Sequence, residues 1–279
     1  MREVAAVKLH GVNTYAAGAA GREAQADLLQ GLARYRFWLF LAAHDIRQRF
    51  RRSVLGPLWL TLSTGILVLA IGVVFSTLFR QDLGSTLPHV ATGMILWNVV
   101  TTCLLEGLTV FIAAQGYIHN VPLPLSVHLY RMLARNVFIL GFNMAIYVAV
   151  AVIFRLTPDW AMLAFIPGFS LFMLNCAWLS LLAAIAATRF RDIPPIVNSL
   201  VQVVFFVTPV FWSVESMPNH PAFVTYNPFY HMLEIVRAPL LGHMPHLSSW
   251  SYCAVMAMVG LTVTYLAYRR FCVRIPFWL

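Results

Sequence analysis

The sequence predicts an all-α membrane protein: six transmembrane helices, an N-terminal amphipathic helix lying in the interface, and short re-entrant helices in the outer leaflet before the last span. Three observations carry this expectation. Of 279 residues, 60% are hydrophobic and 10% charged, whereas a soluble domain carries about 25% charge. Four arginines, Arg47, Arg49, Arg51 and Arg52, crowd the stretch before Ser53, and from Leu55 to Phe79 there is no charged residue. At about 1.5 Å per helical residue that run reaches roughly 37 Å, enough to cross a hydrocarbon core of about 30 Å with some tilt. Similar apolar runs recur to the carboxyl terminus.

Taken in order, residues 1–27 are rich in Ala, Gly and polar residues and lack the pattern of a signal peptide, so they read as a flexible cytoplasmic tail. Over 28–52, Leu28, Leu32, Tyr35, Leu39, Ala42, Ile46 and Phe50 share one arc of a helix, while His44, Asp45 and Gln48 point elsewhere. The all-apolar middle, Phe37 to Ala43, is too short to span, so this helix is placed in the interface with its arginines toward headgroups. Residues 53–279 then hold the spans: Leu55 to Phe79, about Val90 to Ala114, Leu133 to Phe154, Ala161 to Thr188, about Pro195 to Ser213 with a break at Thr208-Pro209, and about Trp250 to Tyr268. With the amino terminus inside, sixteen Lys and Arg fall on the inner side and three, Arg80, Arg155 and Arg237, on the outer side. That asymmetry predicts both termini in the cytoplasm.

Two stretches depart from a simple succession of spans. In 214–249, Asn227 as N-cap and Pro228 at the first helical position start a helix that Pro239 and Gly242 end. Such a helix reaches about 15 Å, half a bilayer, and reads either as re-entrant in the outer leaflet or as a surface loop. In the inner connection, Tyr117 to Tyr130, Ile118, Val121, Leu123, Leu125, Val127 and Leu129 surround two prolines. An apolar cytoplasmic knob calls for a docking partner, or else folds back on the membrane.

Catalytic signatures are missing. There is no phosphate-binding G-x-x-x-x-G-K-[ST] loop, the single lysine is Lys8, and no H-E-x-x-H or G-x-S-x-G occurs. The nine histidines lack metal-ligand spacing, and Cys103, Cys176, Cys253 and Cys272 are dispersed as packing residues. Neither a metal nor a cofactor is expected in this chain. The positive charges form no extended face for nucleic acid. Glu106 lies within an expected span, where an ionised carboxylate is costly unless hydrated or paired; it faces a conduit or subunit contact, or it serves as a hydrogen bonder within the bundle. Phe75, Trp97, Phe205, Phe206, Phe211 and Trp212 read either as packing or as flat faces along which sugar rings slide.

RRSVLGPLW at Arg51 to Trp59, RFRDIPPIVNSLVQVVFFVTPVFW at Arg189 to Trp212, and NPFYHMLEIVRAPLLG at Asn227 to Gly242 resemble the membrane subunits of ABC-2-type exporters for polysaccharides and polyol phosphates, as in O-antigen, teichoic acid and capsule export. The resemblance implies a homodimer in the bacterial inner membrane with two copies of a separate ABC ATPase, ATP and Mg being held by that partner. It implies that the cargo is a lipid-linked polysaccharide of the undecaprenyl-pyrophosphate type, with O-antigen favoured over teichoic acid or capsule, and a drug or lipid exporter as the alternative. On this resemblance 117–130 is the coupling loop, with Ile118, Val121, Leu123, Leu125 and Val127 toward the ATPase. Arg189, Arg191 and Asp192 line the cytoplasmic mouth, and Phe229, Tyr230, Glu234 and Arg237 form the outer gate. Arg47, Arg49, Arg51 and Arg52 would meet pyrophosphate bidentately, or anchor phospholipid headgroups.

Overall fold

The computed structural model describes residues 21–51, 53–157, 159–214 and 222–279. Arg52, residues 1–20 of the expected tail and 215–221 of the expected outer region lie outside them. The described residues form helices and loops without a strand. In chain order these are α1 (21–33), α2 (Tyr35–Arg49), α3 (Leu58–Phe79), α4 (Leu83–Ala113), α5 (Gln115–Asn120), α6 (Ser126–Ile153), a 3₁₀ turn (Trp160–Ala164), α7 (Phe165–Arg189), α8 (Ile193–Val207), α9 (Ala222–Thr225), α10 (Pro228–Leu240), α11 (Leu247–Phe271), a second 3₁₀ turn (Cys272–Arg274) and α12 (Ile275–Trp278).

Among the described residues, five helical stretches are long and apolar enough to cross a membrane: Leu58–Phe79, Leu83–Asn120, Ser126–Ile153, Trp160–Arg189 and Leu247–Trp278. The expected fifth span is the exception. Its helix, α8, has 15 residues, about 22 Å at 1.5 Å per residue, and ends where the sequence broke, with Thr208 extended. At the first span, Gly56 takes a left-handed φ of 56° and Pro57 opens α3, a conformation that glycine adopts without steric cost.

The amino-terminal expectation is corrected in two ways. Residues 21–27 are helical and packed, with Ala24 fully buried, so they are no tail. The continuous helix expected from 28 to 52 breaks at Arg34 into α1 and α2. The third span also starts earlier than Leu133, at Ser126.

α4 is the axis of the bundle. It packs against α3, α6, α7, α8 and α10, and Val90, Ala91, Ile95 and Leu96 are at most 1% exposed. Small residues let neighbours close in, as apolar helices lacking a hydrophobic drive in lipid require. A Cβ on Gly107 would lie 2.9 Å from Ser180 Cα of α7, and Ser180 Oγ donates to the Cys103 carbonyl at 2.8 Å. All four cysteines are buried, as packing residues should be.

The end bearing α1, α2, α5 and α12 is called basal below, and the end bearing α9 and α10 apical. α10 sits inside the apical end against α7, α11 and α4, with Met232, Leu233, Ile235 and Val236 wholly buried. It is therefore not a surface loop. Asn227 caps it as expected, accepting from Phe229 N–H at 2.9 Å. Pro239 does not end the helix but lies in its last turn. Lacking an N–H, it leaves the Ile235 carbonyl without its helical donor, and that oxygen turns to Gly168 of α7, where a Cβ would stand 2.3 Å away. Gly242 does the terminating, with φ 82°: His243 N–H reaches the Ala238 carbonyl and Gly242 N–H reaches Pro239, a Schellman motif.

Candidate functional site

Between α3, α4 and α8 lies an open cavity of about 580 Å³, lined on its polar side by Thr64, Asn98, Thr101, Asn198 and Gln202. Asn98 is the central residue of α4, and Asn198 and Gln202 are one turn apart on α8, both exposed. Amides at i and i+4 share one helix face. Exposed amides at this depth are expensive against hydrocarbon, so this face meets water, a polar ligand or another protein surface. α8 has no buried residue at all.

Aromatic rings continue this surface. Trp97, Phe205 and Phe206 line the same cavity, while Phe75, Phe206, Phe211 and Trp212 line an adjoining one of about 240 Å³. Ring centroids run Trp97 to Phe205 at 5.7 Å, Phe205 to Phe211 at 5.3 Å and Phe211 to Phe75 at 4.7 Å. The structure thus joins rings far apart in sequence, though Trp97 and Phe211 are largely buried and Phe206 presents most of the accessible ring.

At the basal end, Asp45 of α2 is the hub that sequence reasoning missed. Its carboxylate takes a two-pronged contact from Arg131, one prong Nε to Oδ2 at 2.7 Å, and a further bond from Arg135 Nη1 at 3.1 Å. Arg135 also donates to Glu106 Oε2 at 2.8 Å, which Asn136 Nδ2 meets at 3.0 Å. Two arginines against two carboxylates leave the cluster neutral, which makes partial burial of these charges tolerable. Glu106 is therefore not a lone acid in mid-span: it stands about two turns from the end of α4 and is ion-paired. It also borders a basal cavity of about 330 Å³ with Tyr117, His128 and Arg131. The signal was present, since Arg131 and Arg135 are spaced i, i+4. With α6 taken to start at Leu133, they read only as topology charges.

Arg47, Arg49 and Arg51 are exposed, and no acidic partner meets them among the described residues. Arg189, Arg191 and Asp192 are likewise exposed, with the Arg189 guanidinium 5.0 Å from the Trp278 ring. In the 117–130 stretch the expected apolar knob is only partly exposed. Tyr117 and Val121 are open, and Ile118, Leu123 and Leu125 are half-buried. Val127 and Leu129 belong to the core at 0% and 3% exposure, because α6 has already begun there and turns them inward.

At the apical end Arg237 is 3% exposed. It donates to the Pro209 carbonyl and to Glu234, each at 2.8 Å, and to His89 Nε2 at 3.0 Å. Arginine offers no lone pair, so Nε2 must be the acceptor and the imidazole proton sits on Nδ1. Trp212 O, 3.2 Å from the same nitrogen, is then a contact rather than a hydrogen bond. Asn227 Nδ2 donates to Thr208 Oγ1 at 2.9 Å, so α10 holds the broken end of α8 at two points. Phe229 packs edge-on to Trp97 at 5.8 Å, and Tyr230 and Glu234 line an apical cavity of about 690 Å³.

Comparison with known proteins agrees with this architecture. Residues 36–241 match the family model described as ABC-2 type transporter. The chain is 24% identical over 222 residues to the O-antigen export system permease protein RfbA of Myxococcus xanthus, covering 77% of this chain and 85% of that protein. It is 22% identical over 226 residues to the protein of the same name from Klebsiella pneumoniae, at 79% and 85% coverage. With that match running over most of its length and with its long apolar helices, the chain is an integral membrane protein that belongs to the ABC-2 type transporter family.

Proposed function

We propose that this chain is the permease half of an exporter that moves a lipid-linked polysaccharide, of the O-antigen type, outward across the bacterial inner membrane, driven by ATP hydrolysed on two copies of a separate subunit. The observation that carries this reading is the groove in which Asn98, Asn198 and Gln202 stand beside Trp97, Phe205 and Phe206. Amides exchange hydrogen bonds with sugar hydroxyls, and ring faces stack on pyranose faces without a fixed register, so a chain can slide. The O-antigen permeases to which the chain is similar support the same class of cargo. The groove opens sideways, and α8 lacks a covering neighbour; a second copy placed against α3 and α8 would close it into a conduit. In this reading the basal end is cytoplasmic, α8 and α10 together make the remaining crossing, and the exposed part of 115–125 meets the ATPase, where Mg and ATP reside.

The test is a double variant, Asn98→Leu with Gln202→Leu. Polymer reaching the cell surface is expected to fall at least tenfold while permease in the membrane stays at the parental level. Undiminished export at equal expression overturns the groove as the path.

The arginines before α3 carry a second expectation. Arg131 and Arg135 are committed to Asp45 and Glu106, and this reading gives the pyrophosphate to Arg47, Arg49, Arg51 and Arg52. A charge-assisted hydrogen bond contributes about 1.5–3 kcal/mol, so Arg47→Ala with Arg51→Ala should cut export roughly tenfold or more with insertion unchanged. Failed insertion with normal export by the remaining protein would instead assign these residues to topology.

A further inference from the structure

The start of α6 has no cap of its own. It is preceded by Val121-Pro122-Leu123-Pro124-Leu125, and its N-cap position is Leu125, whose side chain makes no capping hydrogen bond; Val127 and His128 N–H reach the Pro124 and Leu125 carbonyls, which leaves the Leu125 and Ser126 amides to be met from elsewhere. The acceptor comes from α1. Asp27 Oδ2 takes Leu125 N–H at 2.6 Å and Oδ1 takes Ser126 N–H at 3.0 Å. A carboxylate at the positive end of a helix is both cap and counter-charge. Ser126 Oγ donates to the Asp27 carbonyl at 2.8 Å, and Tyr130 O–H to the Leu28 carbonyl at 3.3 Å. The contact is close enough that a Cβ on Gly31 would stand 2.0 Å from Ser126 Oγ.

The same carboxylate reaches a third element, because Tyr268 of α11 donates its hydroxyl to Asp27 Oδ1 at 2.7 Å. Tyr268 and Ala24 are fully buried around this junction. At its other end the 115–125 segment is tied again, Gln115 Nε2 donating to the Leu279 carbonyl at 2.6 Å. The segment is therefore pinned at both ends, by Asp27 of α1 and by Leu279 after α12, with its middle exposed at Tyr117 and Val121.

We propose that Asp27 is a positioning residue for energy coupling. It fixes the α6 end of the 115–125 segment to α1 and α11, so that a push on the segment moves α6 and α11 together instead of being absorbed by the Pro-containing stretch. This role rests on the reading of 115–125 as the ATPase contact. Without the carboxylate the Leu125 and Ser126 amides and the Tyr268 hydroxyl lose their acceptor, the segment yields at Pro122 and Pro124, and less of each ATP-driven push reaches the helices.

Two measurements on the full chain test it. In the detergent-purified permease, amide hydrogen exchange over 122–128 should rise at least tenfold in Asp27→Ala, with α7 unchanged. In vesicles containing permease and its ATPase, Asp27→Ala should capture the ATPase at parental stoichiometry and hydrolyse ATP, while polymer exported per ATP falls at least fivefold. Asp27→Asn, which keeps the shape but loses the charge and one acceptor, should fall between. Tyr268→Phe removes only the α11 arm and should lower export per ATP about twofold; it serves where Asp27→Ala does not fold. Unchanged exchange overturns the cap. Raised exchange with unchanged export per ATP reduces Asp27 to a helix cap and leaves the docking reading standing. Parental ATPase capture by Val121→Asp overturns the docking reading itself, and the coupling role with it.

Discussion

Replacing Arg237 with alanine is expected to cause the largest loss of stability of any single truncation at the apical end. The guanidinium is almost wholly buried and joins three elements: Glu234 on its own helix, the Pro209 carbonyl after α8, and His89 of α4. Truncation leaves the Glu234 carboxylate and a main-chain carbonyl without their donor. Breaking a buried pair from one side costs about 3–5 kcal/mol, and at about 2–4 °C per kcal/mol for a chain of this order of size the melting midpoint should drop by at least about 6 °C. Heating followed by size-exclusion chromatography would read this directly. Lysine should not restore it, because one ammonium cannot present a planar fork to three acceptors. Arg237→Leu combined with Glu234→Leu should be milder than Arg237→Leu alone, since no uncompensated carboxylate remains. A midpoint unchanged in Arg237→Ala would show that the contact network contributes no net stability.

Gly93→Ala should be nearly as damaging, although it adds one methyl group. A Cβ there would lie 2.1 Å from the Val210 carbonyl oxygen and 3.1 Å from its carbon. The obstacle is main chain, so no rotamer change relieves it, and either α4 or the 208–211 bend must move. Overpacking costs about 1–3 kcal/mol, and because Phe211 follows the bend, the aromatic surface shared with Phe75 and Phe205 shifts with it. The expected result is a lower melting midpoint together with loss of export. Gly141→Ala is the control: nothing lies within 4 Å of its Cβ position, so on helix propensity alone it should be neutral or stabilising by up to about 1 kcal/mol. Parental stability and export in Gly93→Ala would mean that the bend is free to give way.

Much of this was legible in the sequence because its causes are local. Apolar runs announced the long helices, Thr208-Pro209 announced the end of α8, and Asn227-Pro228 announced the start of α10. Where the reading slipped, a local signal was outvoted by a distant one. Pro124 and the apolar run after it suggested an exposed knob, yet α6 starts at Ser126 because Asp27 caps it from α1. Pro239 looked like a stop, yet its orphaned carbonyl partner settles on Gly168 of another helix and the turn survives until Gly242. Asp45 looked like the solvent side of an amphipathic helix because the arginines it pairs with stand on α6, far along the chain.

Composition and periodicity alone determine that this chain is a helical membrane protein with an arginine cluster before its first span and an aromatic stretch at a proline break. They do so because hydrocarbon admits only backbones whose hydrogen bonds are satisfied internally. Tertiary structure alone decided which polar groups meet: Asp27 with the start of α6 and Tyr268, Asp45 and Glu106 with two arginines, and Asn98 across from Asn198 and Gln202. Partner choice among such groups depends on which helix faces come together, and helical periodicity specifies a face without specifying its neighbour.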